Sequence, residues 1–231
     1  MKPSYNILYL FCICIILLIF THVSKQPVSI NKWCILLTTC VNRKSQTPEQ
    51  RKEILSIYQR SINDWLTKTT LPICVVDSSD YAFNEFLGTR LIVVHYMCKE
   101  TGSSTICESM SILYALEHSK ELKRYENIVK ITGRYYIPNM KETLENIPYS
   151  YDLYLQATRT PDLQNSEVFG FKQHLGKAIF TPLADKTDTL TMEESIWNTS
   201  HTDKYTSYVL PYLQNIYKVA RGGDKLVVDP L

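Results

Sequence analysis

The sequence predicts an α/β domain in which helices flank a mostly parallel β-sheet. Short apolar runs, typical of strands buried on both faces, alternate along the chain with longer segments of helical periodicity. The length of 231 residues suits a single domain. With 45% hydrophobic and 21% charged residues, the chain has the composition of a folded globular protein. A hydrophobic helix is predicted to precede this domain.

The first half of the domain carries the clearest elements. Residues 33–39 form an apolar run that ends in two threonines, which predicts the first core strand. Residues 47–50 form a capping box with proline at the first helical position, followed by apolar residues at helical spacing: Ile54, Ile57, Tyr58, Ile62, Trp65 and Leu66. Further strands are predicted at 71–76, 91–96 and 127–132, and a second helix at 104–119.

The second half has a looser pattern. Strands are predicted at 152–156 and 168–172, and helices at 192–199 and 205–219. A turn at 221–224 then precedes a short strand at 226–228.

The N-terminus is membrane-directed, because every residue from Ile7 to Phe20 is apolar or aromatic. A spanning helix needs about 20 mostly apolar residues, and residues 5–23 reach this length. We therefore predict a tail and signal-anchor at 1–24, a stem at 25–31 and a single domain at 32–231. A cleaved signal peptide also fits the length of the apolar core, although no A-x-A-like site follows it, and a buried N-terminal helix is a third interpretation.

The predicted localisation is a single-pass membrane protein whose C-terminal domain is luminal or external, or a secreted protein if the segment is cleaved. On that side of a membrane Asn198, in Asn-Thr-Ser, would be a glycosylation acceptor. Such triplets also arise by chance. Five of the seven cysteines follow the apolar segment, and they are predicted to be core residues or to form one or two disulfides.

Composition excludes several ligand classes. The chain has only seven glycines and contains neither G-x-G-x-x-G nor G-x-x-x-x-G-K-[ST], which removes the dinucleotide fingerprint and the P-loop. The net charge is +2 and the isoelectric point is about 8.1, below the value of about 9 that is usual for nucleic-acid binders. No nucleic-acid partner is therefore predicted.

Polar residues follow three of the predicted strands. Because ligands bind beyond the carboxyl ends of strands in open α/β sheets, these are the expected positions of a site. They are Thr38 and Thr39, then Asp77, Ser78, Ser79 and Asp80, then Thr132, Gly133 and Arg134. Hydroxyls, carboxylates and an arginine suit a nucleotide. Asp77 and its serines could instead form an Asx-type turn.

The stretch from Lys130 to Tyr135 reads Lys-Ile-Thr-Gly-Arg-Tyr and resembles a segment of viral and bacterial polysaccharide glycosyltransferases of the GT-A type. Residues 108–116 resemble the helix before the central strand of that fold, and 166–171 its acceptor-side segment. The resemblance implies a GT-A-like (Rossmann-like) fold. It also implies sugar transfer from a nucleotide-sugar donor to a glycan or lipid-linked acceptor.

By this resemblance, the nucleotide sugar would be bound by the residues at the strand exits: Thr38, Thr39, Asp77, Lys130, Thr132, Gly133 and Arg134. The D-x-D motif that holds Mn²⁺ or Mg²⁺ in that fold is absent, since Gly133 and Arg134 stand in its place. A divalent metal is therefore doubtful, and Arg134 and Lys130 would neutralise the departing diphosphate. Lys130 lies within a strand and could instead form a buried ion pair.

Glu167 is the predicted base, because inverting transfer needs a group that takes the acceptor proton. It precedes a Phe-Gly-Phe segment whose rings could stack on a sugar, although it could also be an ordinary loop glutamate. The alternative function is a non-catalytic GT-A-like or membrane-displayed binding protein. A nucleotidyltransferase would need a triphosphate-binding loop, and the sequence contains none.

Overall fold

The computed structural model describes residues 29–43, 45–99, 104–157, 164–185, 191–211 and 213. The predicted membrane segment at 5–23, the stem up to residue 28 and the predicted strand at 226–228 lie outside these ranges. None of the helices formed by the described residues is long and apolar enough to cross a bilayer.

The described residues form seven strands and five α-helices. The strands are β1 (Trp33–Thr39), β2 (Ile73–Asp77), β3 (Leu91–His95), β4 (Asn127–Thr132), β5 (Leu153–Gln156), β6 (Val168–Lys172) and β7 (Ser207–Leu210). The helices are α1 (Pro48–Lys68), α2 (Ser104–His118), α3 (Met140–Glu145), α4 (Gly176–Ala184) and α5 (Met192–Ser200).

All seven strands belong to one sheet with the order β3-β2-β1-β4-β6-β5-β7. Only β6 runs antiparallel to its neighbours, so the predicted mostly parallel α/β sheet is confirmed. The chain moves from β1 outward to β2 and β3, and then returns to place β4 on the other side of β1. The strand order therefore reverses between β1 and β4, which is where open α/β sheets bind their ligands.

The sheet is covered on both faces by helices. Successive residues of β1 point to opposite faces, and every residue of this strand is buried. Ile35 and Leu37 belong to the apolar cluster that includes Trp65 of α1. Leu36 belongs to the cluster that includes Ile112 of α2, on the other face. This double burial explains why β1 is apolar throughout instead of alternating.

The prediction of a helix at 205–219 is wrong for the first residues of this range. Ser207–Leu210 forms the edge strand β7, which pairs with β5 in parallel, while much of the remaining range lies outside the described residues. Tyr208 and Val209 favour a strand, and Pro211 would remove a backbone hydrogen bond within a helix. Helices α3 and α4 were not predicted. Helix α4 begins with glycine and contains Pro182, both poor helix formers.

Candidate functional site

A cavity of about 600 Å³ lies at the carboxyl ends of β1, β2 and β4, beside the point where the strand order reverses. Four of the predicted site residues line it: Thr38, Thr39, Thr132 and Arg134. Four others lie outside its lining: Asp77, Lys130, Gly133 and Glu167. Its further lining residues include Cys40, Arg43, Tyr58, Ser78, Ser79, Met97, Cys98, Cys107 and Glu108.

One wall of the cavity contains a buried ion pair. Lys130 on β4 is only 1% exposed, and its Nζ lies 2.8 Å from Oε1 of Glu108 on α2. The same ammonium donates a hydrogen bond of 2.7 Å to the carbonyl of Ser166. The Thr38 hydroxyl donates a hydrogen bond of 2.6 Å to the same Glu108 oxygen. Lys130 therefore does not line the cavity itself but holds Glu108, which does.

The Glu108 carboxyl is held in its ionised form. Burial on its own would raise the pKa of this group, but the Lys130 charge and the hydrogen bonds from Lys130 and Thr38 outweigh burial and lower it. The charge of Arg134 contributes in the same direction. Glu108 thus presents a carboxylate to the cavity, and a carboxylate can only accept hydrogen bonds.

Asp77 organises the loops that follow β1 and β2. Its fully buried carboxylate accepts hydrogen bonds from the Thr39 hydroxyl at 2.8 Å and from the backbone N–H groups of Val41, Ser79 and Tyr81 at 3.1, 2.8 and 3.1 Å. The Ser79 hydroxyl donates a fifth. The bonds to Ser79 and Tyr81 form the Asx-type turn that was the alternative interpretation. Direct contact of Asp77 with a nucleotide stays a prediction.

Gly133 lies outside the cavity lining but allows the ends of β1 and β4 to pack closely beside the cavity. Its N–H donates a hydrogen bond of 2.8 Å to the carbonyl of Thr38. A side chain at this position would collide with Thr39 and place a Cβ only 2.9 Å from that carbonyl oxygen. Glycine is thus needed for the close approach of the β4 exit to the β1 exit, and this approach places Arg134 in the cavity wall.

The cavity lining also contains two positively charged side chains. Arg134 and the exposed Arg43 both line the cavity, together with Tyr58 of α1. Burial raises the pKa of Tyr58, and the charges of Arg134 and Arg43 oppose this rise. The Tyr58 oxygen accepts a hydrogen bond of 3.4 Å from the Cys40 N–H. Two arginines in the lining of one cavity suit a ligand with several negative charges.

The residues of the cavity do not fit a divalent metal. Mg²⁺ and Mn²⁺ need several oxygen ligands, whereas Arg134 follows β4 and the lining carboxylate Glu108 is already paired with Lys130. Across the ranges that the structure describes, no group of three or more His, Cys, Asp or Glu side chains is placed to hold an ion.

Glu167 immediately precedes β6 and is hydrogen-bonded through its backbone to Thr132, which lines the cavity. Its carbonyl accepts a hydrogen bond of 2.9 Å from the N–H of Thr132, so the two residues are neighbours across the β4–β6 pairing. The Glu167 side chain is half-buried. Asn198 is far along the chain from these residues, and its side chain is exposed on α5.

A disulfide joins Cys98, after β3, to Cys107 in the first turns of α2, and both residues line the cavity. The Cys98 N–H also donates to the carbonyl of Ser78. Cys34 and Cys74 are buried thiols in the core, where burial raises the pKa of Cys34 to about 12. The disulfide thus connects the loop after β3 to the turn of α2 that carries Glu108.

Glu108, Arg43 and Tyr58 are the site residues that sequence reasoning missed. Glu108 belongs to the helix that carried the resemblance, but only its apolar positions were interpreted. A signal was present nonetheless, because Glu108 is an acidic residue within a mostly apolar helix. Arg43 lies in the loop after β1, four residues beyond the strand.

No family model and no curated protein sequence matches the chain. Among solved structures, it is similar to a candidate nucleotide-diphospho-sugar transferase of Desulfovibrio desulfuricans G20, at 11% identity over 78% of this chain and 80% of the other, with a TM-score of 0.49.

It is also similar to 4-diphosphocytidyl-2C-methyl-D-erythritol synthase of Anaerococcus prevotii, at 11% identity over 79% of this chain and 88% of the other, with a TM-score of 0.49. A third similar structure is that of a glycosyltransferase involved in glycosylation of the major capsid of PBCV-1. The identity is 8% over 76% of this chain and 81% of the other, with a TM-score of 0.46.

Proposed function

We propose that this protein is a glycosyltransferase that moves a sugar from a nucleotide-sugar donor to a glycan or lipid-linked acceptor. We place it with the hexosyltransferases of the polysaccharide type that residues 130–135 resemble. One observation carries the proposal. The cavity at the reversal of strand order is lined by two arginines, an ionised carboxylate and several hydroxyl groups.

The size and charge of the cavity support a nucleotide sugar. A volume of about 600 Å³ lies within the range of small-molecule sites. The guanidinium groups of Arg43 and Arg134 would bind the diphosphate, since guanidinium pairs with phosphate oxygens in bidentate fashion. The hydroxyls of Thr38, Ser78 and Thr132 would bind the sugar portions.

The proposed reaction is a direct displacement. The acceptor hydroxyl oxygen bonds to the anomeric carbon of the donor sugar, while the bond from that carbon to the phosphate oxygen breaks. The electron pair leaves with the nucleoside diphosphate, and Arg134 and Arg43 stabilise its growing charge. Glu167, next to Thr132 at the edge of the cavity, would take the acceptor proton.

The proposed location is a membrane surface, with residues 5–23 as the anchor and the domain on the luminal or external side. The Cys98–Cys107 disulfide supports this side, because disulfides persist in oxidising compartments. A lipid-linked or surface glycan acceptor would then lie close to the domain. Asn198 is exposed and so accessible to glycosylation there.

Binding and release of nucleotides test the proposal. The full-length chain in detergent would be titrated with UDP, GDP, CDP and ADP and with their sugar conjugates, and nucleoside diphosphate release would be followed. We expect one nucleotide to bind and Arg134→Ala to weaken that binding about 10- to 100-fold, because a charge-assisted hydrogen bond is lost. Arg124→Ala is the matched control, since Arg124 is exposed and precedes β4 at the opposite edge of the sheet.

The same experiment distinguishes a glycosyltransferase from the second candidate function, a binding protein without catalysis. The replacement of a D-x-D motif by Gly133 and Arg134 favours a binding protein without catalysis. Such a protein would bind a nucleotide sugar and release no diphosphate with any acceptor. If no nucleotide or conjugate binds at millimolar concentration, the proposed donor site is rejected.

A further inference from the structure

We propose that Glu108 recognises a hydroxyl group of the donor, either on the nucleotide ribose or on the transferred sugar, through its second carboxylate oxygen. This inference rests on the proposed function, because it assumes that the cavity binds a nucleotide sugar. It assigns a specificity-determining role to a residue of α2 that lies outside the strand exits and to which the sequence resemblance assigned no role.

The two oxygens of Glu108 have different surroundings. Oε1 accepts hydrogen bonds from the Lys130 ammonium at 2.8 Å and the Thr38 hydroxyl at 2.6 Å. Oε2 accepts none from the residues that the structure describes. The side chain is 29% exposed and lines the cavity. One oxygen is thus used to fix the carboxylate, and the other can accept a bond from a ligand.

The position of this carboxylate is fixed before any ligand arrives. Lys130 is buried, and its second bond, to the carbonyl of Ser166, keeps the ammonium in place. The disulfide of Cys107 holds the helical turn next to Glu108. An acceptor that is already oriented loses little entropy on binding, so its hydrogen bond contributes strongly to affinity and selectivity.

The chemistry of the ligand group follows from the charge. Glu108 remains ionised, so it repels phosphate and accepts bonds only from donors. Because Oε1 already has two donors, the site offers one oxygen to the ligand, which suits a single hydroxyl better than a two-donor edge of a nucleobase. The lowered pKa also makes Glu108 a weak base, which leaves proton removal to another group.

The donor would therefore bind with a defined orientation. Its diphosphate lies toward Arg43 and Arg134, and a sugar hydroxyl lies toward Glu108 and Thr38. The arginines and Glu108 would thus bind different parts of one ligand. Arginine supplies affinity for any diphosphate, and Glu108 supplies selectivity for a hydroxylated one.

The test compares wild type and Glu108→Gln with matched ligands, using the nucleoside diphosphate that binds wild type most tightly. Its 2′-deoxy and 3′-deoxy analogues probe the ribose, and its sugar conjugate probes the transferred sugar. We expect wild type to prefer the ribonucleotide to one deoxy analogue, or the conjugate to the free diphosphate, by about 10- to 100-fold. In Glu108→Gln this preference should fall to about threefold or less. The affinity for the deoxy analogue or the free diphosphate should be nearly unchanged.

The outcomes are distinguishable. If wild type binds no nucleotide, the proposed function fails. If wild type binds nucleotides but Glu108→Gln keeps both ratios, or changes only the preference among bases, the role of Glu108 is overturned. The double variant Glu108→Gln/Lys130→Met removes both buried charges, so it provides the same measurement if the single variant does not fold. Since Glu108 stays ionised, the wild-type ratio should not change between about pH 6 and 8.

Discussion

Two carboxylates lie at the same edge of the sheet, and the protein uses them differently. Asp77, at the end of β2, is fully buried and accepts five hydrogen bonds from the last residue of β1 and from the loops that follow β1 and β2. Glu108, in the first turns of α2, accepts two hydrogen bonds on one oxygen and faces the cavity. Strand β2 places Asp77 at this edge, and helix α2, which connects β3 to β4, places Glu108 there.

The difference shows how a carboxylate near a site can be assigned a role. A carboxylate has about four lone-pair positions for hydrogen bonds, and the protein itself occupies those of Asp77. Such a group stabilises the loops that shape the cavity. Glu108 keeps one oxygen without a donor from the described residues, so a ligand can complete its hydrogen bonds. The number of bonds from the protein, more than position along a strand, separates the two roles.

The largest expected effect is the loss of stability in Asp77→Ala. Three backbone N–H groups and two hydroxyls would lose their acceptor, and a buried donor without a partner costs about 1–3 kcal/mol. We expect the free energy of unfolding to fall by roughly 3–5 kcal/mol. The double variant Glu108→Gln/Lys130→Met should change it by only about 1 kcal/mol, because removing both members of a buried ion pair is often neutral. Urea denaturation of both variants provides the measurement.

Ligand binding completes this comparison. Asp77→Ala should lose affinity for every ligand, because the wall of the cavity is disordered with the loops. The double variant should lose only the preference for a hydroxylated ligand. Equal destabilisation in the two variants would contradict the division of roles between Asp77 and Glu108.

The sequence predicted most of the sheet because its strands are continuous apolar runs. Strands β1 to β4 and helices α1 and α2 lie within a few residues of their predicted bounds. The edge strand β7 was mistaken for a helix, because an exposed four-residue strand has too little apolar pattern to distinguish the two. Its pairing with β5 is a tertiary contact, which no local pattern reveals.

The site was predicted less completely than the sheet. The strand ends were predicted closely enough that Thr38, Thr39, Thr132 and Arg134 do line the cavity, while their contact with a ligand stays a prediction. Glu108 was not, because its role depends on contacts with Thr38 and Lys130, which lie 70 and 22 positions away in the chain. The partner of Cys98 could not be deduced either, since spacing alone does not define a pairing among five cysteines.

Removal of the Cys98–Cys107 disulfide should have a smaller effect, which concerns stability and the ligand preference that depends on Glu108. In the chain-entropy description, a cross-link between residues nine positions apart contributes about 2–3 kcal/mol. We expect Cys98→Ser/Cys107→Ser to unfold at lower denaturant concentration by that amount. The preference for a hydroxylated ligand should also fall several-fold, because the turn that carries Glu108 is less constrained.

Cys34→Ser is a comparison for the loss of a core thiol, since Cys34 is buried and forms no disulfide. It should lower stability without changing the ligand preference. If loss of the disulfide leaves the preference intact, Glu108 is held in place by Lys130 and Thr38 alone.

The smallest expected effect is a pH dependence that belongs to Glu108. Lys130 and Thr38 lower the pKa of this carboxyl in the folded protein against the opposing effect of burial, so its ionisation stabilises the fold above the pKa of the unfolded chain. That contribution is lost as the pH falls below about 4.5 and through the lower pKa of the folded state. The melting temperature of wild type should therefore drop more steeply between about pH 5 and 3 than that of Glu108→Gln/Lys130→Met. Other carboxyls with lowered pKa values are common to both proteins, so their effects cancel in the difference. Parallel curves over this range would show that the charge of Glu108 contributes nothing to folding, and its position would then have to be fixed by packing and the disulfide.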